Sequence, residues 1–360
     1  MTKTRSAHPA GISMTEGSLL RNIFLFSVPL MFSQLLQVLF NMADVAVVGK
    51  FSSATALGSV GSTSTLVTLF TGFLIGLSNG VNVRVAQYLG ARQDEDTRNC
   101  VHTSLILCTL AGLVITVLCF TLAAPMLELL KTKDDLLPGA VLYFRIYALG
   151  MPALGIFNFG NAVLSASGDT KRPLVYLTAA GILNVILNLF FVIVCKMAAD
   201  GVALASILSQ YLSAILVLIH MLRLDDSCRV EWKRLRLHGG EVGRILGLGV
   251  PAGIQHMIFA VANLFIQVGI NSFDSTVVSG NSAAVNVDNV IYNVMAAFYT
   301  ACSTFMGQNW GAGKKDRMMK SYYVSLGYSF LIAAVLGVAF LLCGEPFLYI
   351  FTNDADVVAA

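Results

Sequence analysis

The chain has 360 residues, of which 56% are hydrophobic and 12% charged, with a mean hydropathy of +0.75. A soluble domain of this length carries about twice that share of charge, so the composition argues against a water-soluble enzyme and for a membrane protein. The formal charge of +3 is too small to suggest nucleic-acid binding.

The opening segment MTKTRSAHPAGISMTEGS is polar and carries no cleavable signal pattern, so the first membrane helix is expected to serve as the insertion signal. Nine apolar stretches follow, each long enough to span a bilayer as a helix: about 22–48, 57–83, 100–123, 138–160, 174–195, 201–222, 247–271, 279–305 and 320–343. Lysine and arginine set their direction. With the N-terminus inside, eighteen of the 23 basic residues fall on the interior side. Five fall outside: Lys50, Lys131, Lys133, Arg145 and Lys196. That bias predicts a multi-pass membrane protein with a cytoplasmic N-terminus. Residues 1–222 form a first lobe of six helices and 247–360 a partial second lobe of three. Between them, 223–246 is basic, with Trp232 and Leu235 interleaved, and reads as a surface helix on the inner leaflet or a charged linker.

The chain also contains a diverged copy of itself. SVPLMFSQ around Pro29 recurs as GVPAGIQH around Pro251, and Gln87 and Gly90 recur as Gln308 and Gly311. Pro125 and Asp134 recur as Pro346 and Asp354. The order is kept at an offset of about 221 residues. Six helices separate the copies, so both have the same orientation, a parallel-repeat plan known among transporters. A six-helix unit implies twelve helices in a complete protein, of which about nine are present. The sequence therefore reads as cut at its C-terminus, which opens the way to self-association or to an inactive fragment.

Asp44, in the outer part of the first span, is the sharpest candidate for chemistry. A carboxylate is costly in hydrocarbon, so it is expected to face protein or a water cavity, where it can load a proton or, with amide oxygens, hold Na⁺. Asn184 and Asn188 lie four apart on one face of the fifth span, and Asn41 and Gln34 lie three and ten residues before Asp44. Together they could form a polar pocket or serve as interhelical glue. In the eighth span Asp288, with Asn289 and Asn293, marks a second polar face for substrate or cation. Gly90 and Gly311, near the ends of the second and eighth spans, read as C-cap signals. GQNWGAGKKD lacks P-loop spacing. The seven cysteines and five histidines form no metal pattern, no hydrolytic set is recognisable, and no cofactor is expected. No filter-like repeat suggests a channel.

On NMADVAVVG, VAQYLGARQDED, SASGDTKRP, NVILN, NVDN and GQNWGAGKKDR, the chain resembles the multidrug and toxic compound extrusion (MATE) family from Leu20 to its end. The resemblance implies an all-α, two-lobe bundle. It implies an antiporter that exports small cationic amphipathic molecules in exchange for H⁺ or Na⁺, with membrane lipid around it. It assigns Asp44 to the first-lobe cation site and maps its fifth-span motif onto Asn184 and Asn188. The second of these is an acid in many members and is neutral here. The alternative is a flippase of lipid-linked saccharides, whose pyrophosphate would favour a more cationic cavity than the acidic groups of this chain.

Overall fold

A computed structural model of the chain describes residues 11–270 and 275–348, and among these it is all helical. Ten α-helices follow in order: α1 Leu19–Phe51, α2 Ala54–Ala91, α3 Asp94–Leu129, α4 Leu137–Ala148, α5 Met151–Ala166, α6 Lys171–Leu189, α7 Ala199–Leu222, α8 Gly239–Ile270, α9 Ser275–Gly311 and α10 Lys315–Leu348. Without water, a helix is the one open-ended form that satisfies every backbone group within its own segment. Local signals fix the ends. Ser53 Oγ accepts a hydrogen bond from the Ala56 amide at 3.1 Å and starts α2. Asp94, Glu95 and Asp96 place negative charge in the first turn of α3.

Over the described residues the nine expected stretches fall on helices, the fourth on two of them, and most of the helices run beyond the apolar windows. The count of nine spans needs correction. Among the described residues, seven helices are long and apolar enough to cross a membrane, and the α4–α5 pair, bent by 45°, makes eight. Helix α9 is long enough but is not among them. Asn281, Asn286, Asp288, Asn289 and Asn293 reduce its apolar character. The expected fourth span is broken between α4 and α5 because Gly150 and Pro152 interrupt the helical ladder. Side chains of neighbouring helices satisfy carbonyls at the break. Thr116 Oγ1 donates to the Ala148 oxygen at 2.7 Å, and the Tyr211 hydroxyl donates to the Leu149 oxygen at 3.1 Å.

The two halves meet where α2 and α9 cross near their C-terminal ends. A Cβ at Gly90 would collide with the Gln308 carbonyl, and a Cβ at Gly311 would collide with the Gln87 carbonyl. These are the residues that the internal repeat pairs, so the crossing is reciprocal, as a two-fold axis between parallel copies requires. The C-cap reading of both glycines is thereby corrected: they permit backbone contact. The left-handed positions that end the two helices are Arg92, with φ 57°, and Gly313, with φ 71°, again 221 residues apart. The pair Asp134 and Asp354 has its second member outside the described residues.

Helices α2 and α8 run antiparallel in glycine-lined contact. Gly76 and Gly80 face Gly253 and Gly249, and an added Cβ at any of the four would meet the opposing helix. Small residues four apart let membrane helices approach closely enough for backbone packing. Of the basic segment 223–246, residues from Gly239 on begin α8, and between α7 and α8 only Trp232–Arg234 form a helical turn. The segment packs on α3, where the Glu231 amide donates to His102 Nε2 at 2.9 Å. Outward-facing apolar side chains such as Val114, Val117, Phe330 and Val335 form the surface suited to lipid.

Candidate functional site

Asp44, near the C-terminal end of α1, meets α6 and α7 in a closed ring of four side chains. Asn188 Nδ2 donates to Asp44 Oδ1 at 2.5 Å and to Asn184 Oδ1 at 3.2 Å. Asn184 Nδ2 donates to Ser206 Oγ at 3.5 Å, and the Ser206 hydroxyl donates to Asp44 Oδ2 at 3.4 Å. The two asparagines and the serine are buried, and Asp44 is half-buried. Every donor to the carboxylate is neutral. Asp44 therefore holds the charge in the ring, stabilised by hydrogen bonds rather than by a cation of the protein.

The backbone places the ring. Helix α6 passes directly into a π-helical turn, Phe190–Val194, just beyond Asn188. Such turns are rare and recur at functional sites. Phe40, one turn before Asp44, lies against Gly181, where a Cβ would overlap its ring. This contact sets the approach of α1 to α6. The ring is bounded by an apolar cluster that includes Val47, Val48, Val192, Val202 and Ala203. Tyr143 and Tyr147 of α4 join that cluster, stacked with ring centroids 6.0 Å apart.

The arrangement suits a monovalent cation. Asp44 offers two oxygens, Asn184 and Ser206 one each, and all are hard ligands. Asn188 Oδ1 is buried without a hydrogen-bond partner among the described residues, a further oxygen that a bound cation can use. No group of three or more histidine, cysteine or acidic side chains placed to hold a metal ion occurs among the described residues.

Of the residues expected here, Asp44, Asn184 and Asn188 come together. Asn41 is exposed and outside the ring, and half-buried Gln34 does not reach it. At about 100° per residue, Asn41 and Gln34 lie about 60° and 80° around the helix from Asp44, and the ring's hydrogen bonds include neither. In α9, Asp288 and Asn289 are exposed, and Asn293 donates to the Asn289 carbonyl of its own helix at 2.6 Å. These three do not converge on one point. Ser206 escaped the sequence reading. Its signal is the spacing of Ser206, Ser209 and Ser213, all buried along α7.

Comparisons with known proteins follow from this geometry. The sequence model of the MatE family matches residues 29–190 and 251–360. A probable multidrug resistance protein of Bacillus subtilis is 30% identical over 96% of this chain and 77% of its own length. An FAD transporter of Shewanella oneidensis is 23% identical over 89% of this chain and 71% of its own length. Among solved structures, an outward-facing multidrug resistance transporter superposes with a TM-score of 0.90 at 21% identity. It covers 99% of this chain and 79% of the solved one.

Proposed function

The chain belongs to the MatE family of membrane transporters, and from that premise we propose that it is a cation-coupled antiporter of a bacterial inner membrane, with Asp44 as its coupling residue. It exports small cationic amphipathic molecules from the cytoplasm in exchange for H⁺ or Na⁺. Residues 1–222 and 247–360 act as its two lobes, and the arginine- and lysine-rich end of the bundle faces the cytoplasm.

The observation that carries this reading is the ring around Asp44, with one carboxylate, neutral donors and an unpaired buried acceptor. When a proton or Na⁺ loads, the charge of Asp44 is neutralised and its charge-assisted bond to Asn188 weakens. The amide of Asn188 is then free to turn its oxygen toward the loaded cation. That change loosens the tie between α1 and α6, and helix rearrangement can follow from it. Unloading on the other side restores the tie. A two-state element biased by the cation is what coupling requires.

The acidic character of the site favours cationic cargo. FAD, the cargo named for the Shewanella relative, carries phosphates, and an acidic cavity repels them. The test is efflux of ethidium, a cationic amphipathic dye, from exporter-deficient bacteria expressing the chain or Asp44→Asn at matched membrane levels. Export by the parent chain and at least a tenfold loss in the variant are expected. Equal export by both removes Asp44 from the mechanism.

A further inference from the structure

The basic end of the bundle contains two side-chain clusters that the coupling site does not use. The first ties α2 to α8. Glu241, in the first turn of α8, is buried, with 6% of its surface exposed. Its Oε1 accepts from the Tyr88 hydroxyl at 2.5 Å and from Arg244 at 2.7 Å, and Arg84 lies 3.6 Å from its Oε2. Arg84 also bonds the Tyr88 hydroxyl and stacks over the Tyr88 ring at 4.1 Å. Tyr88 and Arg84 come from one half of the molecule, Glu241 and Arg244 from the other. Separating α2 from α8 leaves the carboxylate with Arg244 alone.

The second cluster ties the segment before α1 to the hairpin of α9 and α10. Arg317 donates to the carbonyls of Met14, Glu16 and Gly17 at 3.1, 2.8 and 2.9 Å. Lys314 donates to the Thr15 carbonyl at 2.9 Å, and Asn309 to that of Met14 at 3.2 Å. The Met14 side chain is buried with Ile23, Phe26, Phe298 and Phe305. The other end of this strap is held by the first half: the Ile12 amide donates to the Gly168 carbonyl at 3.2 Å, and Gly11 packs on the Ser167 backbone.

The two clusters occupy equivalent places. Tyr88 and Asn309 are 221 residues apart, the offset of the internal repeat. Each sits at the end of the second helix of its copy, and each grips the segment that enters the first helix of the other copy. The chemistry differs. One grip is ionic and made by side chains; the other is a set of cations on backbone carbonyls.

We propose that these are two latches that close the basic end of the transporter, and that both must release before that end opens to admit cargo. The proposal rests on the transporter reading for the meaning of opening, but its geometry does not depend on the cargo or the coupling ion. Opening must exchange the bonds of Glu241 to Tyr88 and Arg84, and those of the 14–17 carbonyls to Asn309, Lys314 and Arg317, for water.

The test is a distance measurement by pulsed electron paramagnetic resonance on the full chain in lipid nanodiscs. Spin labels replace exposed Gln93 and Lys315, in a background lacking the seven native cysteines. The parent is expected to show one short-distance population. Glu241→Gln and Arg317→Gln should each add a minor longer-distance population, and the double variant should make it the major one. Arg317→Lys, which keeps one donor group but loses the fork, should fall between parent and Arg317→Gln. An unchanged distribution in the double variant overturns the proposal. So does a double variant no more open than one of the singles. Because the labels read closure directly, either result leaves the export assay to judge the transporter reading separately.

Discussion

Asp44 accepts two hydrogen bonds from neutral groups, and each can be removed without touching the charge. Ser206→Ala deletes one, worth about 1 kcal/mol, so cation affinity should change roughly fivefold with export retained. Ethidium export titrated against external pH or Na⁺ reads that shift, and an unaltered titration would remove Ser206 from the site. The residues of the ring were unequally legible. Asp44 and the two asparagines stand out because ionisable and amide side chains are rare in apolar runs, and their spacing of four places both asparagines on one face. Ser206 was hidden because small hydroxyl residues pack throughout membrane helices and bond their own backbone. Asn41 and Gln34 lie within about 60–80° of Asp44 around α1, yet the partners of the carboxylate come from α6 and α7, which spacing along α1 cannot reveal.

The helices show where backbone geometry is under tension. Arg92 ends α2 in the left-handed region, at the position where the second copy uses Gly313. Non-glycine residues sit there at a cost of about 1 kcal/mol. Arg92→Gly should therefore raise the thermal unfolding midpoint of the purified chain by a few degrees, and a lowered midpoint would show that the arginine side chain outweighs the strain. The opposite sign is expected at Gly76, whose Cβ would strike the backbone of α8. Gly76→Val should cost about 1–3 kcal/mol by overpacking and lower the midpoint in the same assay. The existence of the long helices was plain from apolar length alone. The break between α4 and α5 was written as Gly150 and Pro152, but prolines inside membrane helices are common, and it takes the 45° bend between the two helices to show that this one breaks.

For the whole molecule, the constant offset of the repeat foretold a two-fold relation, and the reciprocal crossing of Gly90 and Gly311 is its physical form. The strap of residues 11–18 was not foretold, because it is held largely through its own backbone carbonyls, which every residue possesses and no side-chain pattern marks. The orientation assigned by the basic residues has its own check. A membrane-impermeant maleimide should label Lys50→Cys from outside intact cells and Lys233→Cys only in inside-out vesicles, and the reverse pattern would invert every statement about the cytoplasmic end. The central claim is that a cation gradient acts through Asp44 to move cargo. It is tested most directly by reconstituting the full chain and Asp44→Asn into liposomes, imposing a proton gradient or a Na⁺ gradient in turn, and following ethidium. The parent should move ethidium with one gradient and not without it, and Asp44→Asn should bind the dye yet fail to respond to either gradient. Gradient-driven transport by Asp44→Asn at the parent rate would contradict the account.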